Sequence, residues 1–336
     1  HPPTFFFIVL EMWRNCKIFS GLSGLGVDMK NKRFTTCIIC IILLISVLAV
    51  GIVAKVNEYI SEYEKQEEIE ELVLDHATQI EISEAGEIHG LKKLSISVWD
   101  DDVDLSPIGK LTELEELTLS IYNREIDVSS LEDLNQLTSL IIYDAWTDLS
   151  FIRKLSNLRE VFIQKSDVED LSIFADLTKL RKLYIEYVDD TDLKYLENLT
   201  ALEELHLCGG HIRNMEYIKT CKDLKELYLY ENADMYDDQP KAETVFLSGL
   251  SKLETLTIVH MNIDDLEAVS EAASLRWMAL GCTGITDITP LKKLKSLQFI
   301  GIYGNNSEAV KEQAEQYFKN VDGLDVDVSE GLPVTL

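Results

Sequence analysis

Leu114-Glu115-Glu116-Leu117-Thr118-Leu119 decides how this chain folds, because the same spacing of leucines keeps returning. The pattern Leu-x-x-Leu-x-Leu, with another apolar residue in some slots, opens at Leu91, Leu114, Leu137, Leu158, Leu180, Leu202, Leu224, Leu253, Leu275 and Leu297. The steps between openings are 23, 23, 21, 22, 22, 22, 29, 22 and 22 residues. A period this short and regular marks a repeat array, in which each unit touches only its neighbours. Side chains alternate along a strand, so Leu117 and Leu119 face one way and Glu116, Thr118 and Ser120 the other. One unit cannot bury its own leucines. Stacked units cover one another, and short parallel strands pair at about 4.8 Å, so ten of them make an arc of roughly 45 Å. A second apolar group follows each strand, as in Ile212, Met215 and Ile218, in Ile263, Leu266 and Val269, or in Ile285, Ile288 and Leu291. Its spacing near three predicts a short helix or 3₁₀ turn that returns the chain on the outer side. Such an array offers a surface rather than an enclosed pocket.

Two units carry a resemblance most clearly. Leu202-Glu203-Glu204-Leu205-His206-Leu207 and Leu275-Arg276-Trp277-Met278-Ala279-Leu280 are similar to the leucine-rich repeat family in the 22-residue form of bacterial internalins. Ile285-Thr286-Asp287-Ile288-Thr289-Pro290-Leu291 matches the return segment of the same form. The resemblance covers about Leu91 to Tyr303. It implies an α/β solenoid: a right-handed superhelix with parallel strands on the concave face and short helices or 3₁₀ turns on the convex face. It also implies a bacterial, protein-binding array. The family usually places Asn three residues after the last strand leucine, where the amide bonds loop backbone. Here only Asn232 and Asn305 stand in that slot, and Trp99, Tyr122, Ala145, Ser166, Val188, Gly210, Met261 and Thr283 hold it elsewhere. A less regular loop edge is expected.

Charge narrows the partners. The 336 residues carry 31 Lys and Arg against 59 Asp and Glu, a net charge of −28. The balance is reversed at the start, where residues 1–56 hold six basic and two acidic side chains. The acidic remainder repels polyphosphate, which argues against nucleic acid; its plainest consequence is solubility, and beyond that it favours a protein with a basic or apolar surface. The six cysteines are scattered in phase and suggest no disulfide framework.

Lys30, Lys32 and Arg33 precede residues 34–54, which carry no charge. A helix of that length is roughly 31 Å long, enough to cross a bilayer. The flanking charges place the amino terminus in the cytoplasm and the repeats outside. A cleaved signal is the alternative, since Ala49-Val50-Gly51 has small residues at cleavage spacing. The chain therefore divides into residues 1–28, read as a non-native extension upstream of a natural start at Met29, a cytoplasmic basic segment at 29–33, and a transmembrane signal-anchor at 34–54. A helical stalk and amino-terminal cap at 55–90, repeats at 91–304 and a carboxy-terminal cap at 305–336 complete it. Three readings of the cap region stay open. Val56 to His76 has helical spacing, Ile69 to Leu74 fits the repeat template, and Gln79-Ile80-Glu81-Ile82 alternates like a strand. At the other end, Ser307 is placed to cap a helix through Phe318, and residues 324–328 alternate like a strand.

The outward middle positions of four neighbouring strands are Phe162, Tyr184, His206 and Tyr228. Flanking outward positions add Glu160, Glu186, Glu204 and Glu226, with Tyr143 and Tyr230, and later strands add Trp277, Phe299 and Tyr303. Rings supply contact area at low entropic cost and carboxylates select basic groups, so these thirteen residues form the expected protein-binding surface. The competing reading is a ladder that only stabilises the sheet. His206, Cys208 and His211 fall short of the four ligands of a closed zinc site. The acidic residues 231–238 lack the ordered spacing and glycine of a calcium loop. No phosphate loop or nucleophile elbow occurs, so no enzyme, metal or cofactor is expected. Surface recognition or adhesion is the leading role, and regulation of a neighbouring membrane protein the alternative.

Overall fold

The computed structural model describes residues 69–329, apart from 101, 123–125, 167, 169–170, 232–243, 262, 264, 282–283 and 305–307. The proposed membrane segment at 34–54, the helix-capping Ser307 and the acidic loop after β8 fall outside the described residues. Among the described residues no helix is long and apolar enough to cross a membrane.

Twelve parallel strands among the described residues pair in strict chain order into one sheet. They are β1 (Glu71–Leu74), β2 (Lys93–Val98), β3 (Glu116–Ile121), β4 (Ser139–Tyr143), β5 (Glu160–Gln164) and β6 (Lys182–Asp192). The second half comprises β7 (Glu204–Arg213), β8 (Glu226–Glu231), β9 (Thr255–Val259), β10 (Trp277–Gly281), β11 (Phe299–Tyr303) and β12 (Asp325–Ser329). The register aligns leucine with leucine. Leu117 lies between Leu94 and Leu140, and Leu119 between Ile96 and Ile142. These two columns are buried from β2 to β11, whereas Leu72, Leu74, Val326 and Val328 at the ends are only half-buried. The 29-residue step leaves the register intact, because Glu226 still pairs Thr255 and Leu227 pairs Leu256. A slip of one residue would turn every leucine of the later strands outward.

The outer side is built of 3₁₀ turns, including Ser129–Asp133, Ser150–Lys154, Met215–Thr220 and Thr289–Lys293. Each apolar group at spacing three turns its residues inward, as Ile263, Leu266 and Val269 show. A short helix, α2 (Ser106–Gly109), occupies the corresponding place early in the array. A side chain at Gly109 would strike the Ser130 carbonyl of the next turn, so glycine permits the close stacking there.

An aspartate precedes many of these turns. Asp104, Asp127, Asp148, Asp192, Asp265 and Asp287 each accept a hydrogen bond from the backbone N–H two residues on, at 2.8–3.1 Å. The residue between is Leu105, Val128, Leu149, Leu193, Leu266 or Ile288, and each is buried. The carboxylate thus folds the backbone so that its apolar neighbour enters the core.

At the amino end, residues 71–74 form β1 in register with β2, as the repeat template predicts, and not the helix that the spacing of Val56 to His76 suggests. Gln79-Ile80-Glu81-Ile82 is not a strand but the start of helix α1 (Gln79–Ala85). Thr78 accepts from the Glu81 N–H, and Glu81 accepts from the Thr78 N–H at 2.9 Å, a complete capping box. As a helix the segment buries Ile82 and Ala85, three apart, and leaves Ile80 in water. At the other end α3 (Glu308–Phe318) buries Val310, Ala314 and Phe318, and β12 follows.

Charged side chains join successive repeats outside the core. Glu203 accepts from the Arg181 guanidinium and from Lys225 Nζ at 2.7 Å. Those bonds, Lys225 first and Arg181 next, hold its carboxyl below the ordinary value of 4.5. A depressed folded-state pKa gives stability that is present above the unfolded value and lost as pH falls through the folded one. Glu203→Gln is therefore expected to lower the urea midpoint at pH 7 and to lower it progressively less as the pH falls below 4.5. Equal losses above and below that value would show that the charge is not what matters.

Candidate functional site

The sheet's outward face carries the predicted residues in the predicted order. Parallel register sets Phe162 beside Tyr184, Tyr184 beside His206, and His206 beside Tyr228. Strand spacing brings their rings into contact. The centroids lie 6.1 Å apart for Tyr143 and Phe162, 5.4 Å for Phe162 and Tyr184, 4.2 Å for Tyr184 and His206, and 5.6 Å for His206 and Tyr228. The result is a continuous file of five half-buried rings across β4 to β8. Burial pushes the Tyr184 and Tyr228 hydroxyls above their ordinary range and the His206 imidazole below its own.

Carboxylates edge the file. Lys182 Nζ lies 3.2 Å from Glu204 and 3.7 Å from Glu160. Glu204 also accepts from the Tyr184 hydroxyl. Glu186 accepts from the Gln164 amide at 2.6 Å. Glu226 lies 3.7 Å from His206 Nε2. With His206 neutral, these four carboxylates meet one ammonium among the described residues, that of Lys182. The partly desolvated file is therefore three negative charges out of balance, an arrangement that a cation relieves.

The remaining expected residues divide. Tyr230 meets His260 at 5.2 Å with the rings tilted by 55°, at the edge of the file. Trp277 and Phe299 stack on each other at 4.0 Å, and Trp277 is 46% exposed. They form a second aromatic pair, separated from the file by β9, whose outward residues are Thr255, Thr257 and Val259. Tyr303 must be corrected. It is buried, and its ring lies back over Gly301, where a Cβ would sit 2.6 Å from ring atoms. A glycine at the outward middle position of β11 leaves a hole that this ring fills, so Tyr303 contributes no area to the open face.

Reading the strands alone misses Lys182 and Gln164, which hold three of the four carboxylates in place. It also misses a column at the loop edge. His76 stacks on Trp99 at 4.8 Å and Trp99 on Tyr122 at 4.2 Å; Trp99 and Tyr122 stand in the slot where the family usually has Asn, and His76 lies one residue ahead of the equivalent slot. Ser166, in the same slot, accepts from the Ala145 N–H at 3.1 Å and donates to the Gln164 carbonyl at 3.0 Å. A hydroxyl thus performs part of the backbone bonding an asparagine would do. Among the described residues no three His, Cys, Asp or Glu side chains gather as a metal site would require.

Sheet order, register and turn type define a leucine-rich repeat solenoid, and solved structures carry the same fold. An internalin (inlF) from Listeria monocytogenes superposes with a TM-score of 0.62 at 20% identity, covering 80% of this chain and 76% of that one. The plant peptide hormone receptor RGFR1, solved in complex with RGF2, gives 0.57 at 16% identity and covers 77% of this chain and 47% of that one. A TDR receptor gives 0.53 at 16% identity, covering 77% and 45%. No protein-family model and no curated protein sequence matches the chain.

Proposed function

We propose that this chain is a membrane-anchored, extracytoplasmic leucine-rich repeat protein that binds another protein through the outward, concave face of its sheet. Surface recognition or adhesion is the role. The observation that carries this reading is the ring file from Tyr143 to Tyr228 with its unbalanced carboxylates. Half-buried aromatics in a row provide the central anchors of a protein contact, and the carboxylates choose a basic partner. The fold supports it, since a peptide hormone receptor is built the same way. On this reading residues 29–33 lie in the cytoplasm, 34–54 cross the membrane, 55–90 lead into the array, and 305–336 close it. The chain acts without a cofactor and performs no catalysis.

The test has two parts. Protease added to intact cells should remove the repeats while a fragment carrying residues 29–54 stays with the membrane. A soluble piece from Val56 onward should capture its partner from surface extracts. Repeats protected in intact cells would reject the outside location. Capture confined to a membrane protein of the same cell would turn the role from adhesion to local regulation.

A further inference from the structure

The four carboxylates of the file are not equivalent. Lys182 and the Tyr184 hydroxyl hold Glu204, Lys182 also reaches Glu160, and Gln164 holds Glu186. Glu226 accepts no hydrogen bond from any described residue; the His206 imidazole stands 3.7 Å away, and Lys182, Glu204 and Glu254 act on it only through their charge. Burial, and then the charge of Glu204, push its carboxyl above the ordinary 4.5. Ionised Glu226 therefore carries a cost that the charge of Lys182 offsets only in part. Tyr228, two residues on, faces the same way, and its ring stacks at 5.6 Å on the His206 ring that stands against Glu226. A carboxylate next to a ring is a seat for an ammonium or guanidinium group, which gains a charge-assisted hydrogen bond and a π face together.

Taking the outward face as the binding surface, we infer that Glu226 and Tyr228 seat an arginine or lysine of the bound protein, and that protonation of His206 competes with that group for Glu226. The groups facing the imidazole are Lys182, Tyr184 and Glu186 from β6, Glu226, Tyr228 and Tyr230 from β8, and Glu204 and Cys208 from its own strand. Burial lowers the His206 pKa below 6.5, against the opposing pull of Glu204. The ring is therefore neutral at pH 7.5 and gains its proton only below the ordinary value. Once charged, the imidazolium pairs with Glu226 and repels the seated cation. Binding is full at neutral pH and falls on acidification.

The experiment uses the whole protein and a fluorescein-labelled nona-arginine peptide, read by anisotropy at pH 7.5 and pH 5.5 at constant ionic strength. Wild type should bind more weakly at pH 5.5 by more than about twofold and, because the His206 pKa lies below 6.5, by less than about tenfold. His206→Phe keeps a ring in the file without a proton acceptor, and should change by less than about twofold between the two pH values. His206→Gln serves the same purpose if the larger ring disturbs the sheet. Glu226→Gln should weaken binding at pH 7.5 by about tenfold and remove the pH step. A wild type indifferent to pH, or a step that persists in both His206 variants, overturns the competition while leaving the face as a binding surface. A folded Phe162→Ala, Tyr184→Ala, Tyr228→Ala variant that holds the peptide as tightly as wild type overturns the reading of the face itself, and the competition with it.

Discussion

Leu205→Ala should lower the free energy of unfolding by about 2–5 kcal/mol. Leu205 has no solvent exposure, and on β7 it fills the first interior column between Leu183 and Leu227. Removing it takes away the transfer energy of the lost carbons and leaves a cavity that neighbours on paired strands cannot close without breaking register. Each repeat is stable only through its two neighbours, so the loss reaches the flanking units as well. A domain of ordinary size is stable by about 5–15 kcal/mol, which makes this one truncation a large share of the whole. Urea unfolding followed by circular dichroism measures it. A loss under about 1 kcal/mol would mean that the columns are not packed as one core.

The second large effect is on binding. Replacing Phe162, Tyr184 and Tyr228 with alanine together should weaken partner capture by at least about a hundredfold, since central aromatic anchors each contribute about 2 kcal/mol or more. The same change removes all four ring contacts of the file, so some stability is lost too, about 0.5–1.5 kcal/mol for each ring pair. Far-UV circular dichroism and the urea midpoint separate the two effects. A folded triple variant that captures the partner as wild type does would leave the rings as a ladder serving only the sheet.

Much of this architecture could be read from the leucines. Their period gave the strands, the register and the inward columns, because a side-chain period of two leaves one choice of face once Leu117 and Leu119 are buried. The ring file followed for the same reason, since residues at equal phase become neighbours across parallel strands. The misses lie where a local signal or a neighbouring side chain overrules alternation. Ile80 and Ile82 alternate like a strand, but Thr78-x-x-Glu81 closes a capping box and the segment turns helical. Tyr303 stands at an outward phase, yet the empty position at Gly301 lets its ring fold down. Lys182 and Gln164 became visible only through distances, because which carboxylate a long polar side chain selects depends on its geometry and not on its phase.

The aspartates ahead of the outer turns give the molecule a second, separate acid response. Hydrogen bonds from Ser106, Ser129 and Thr289 hold the carboxyls of Asp104, Asp127 and Asp287 below 3.8, so these braces stay ionised where a histidine has already taken its proton. Mild acid can thus act on one side of the ribbon while the back of it keeps its shape. Only much stronger acid would undo the braces, and then in many repeats together, because each uses the same two-residue reach.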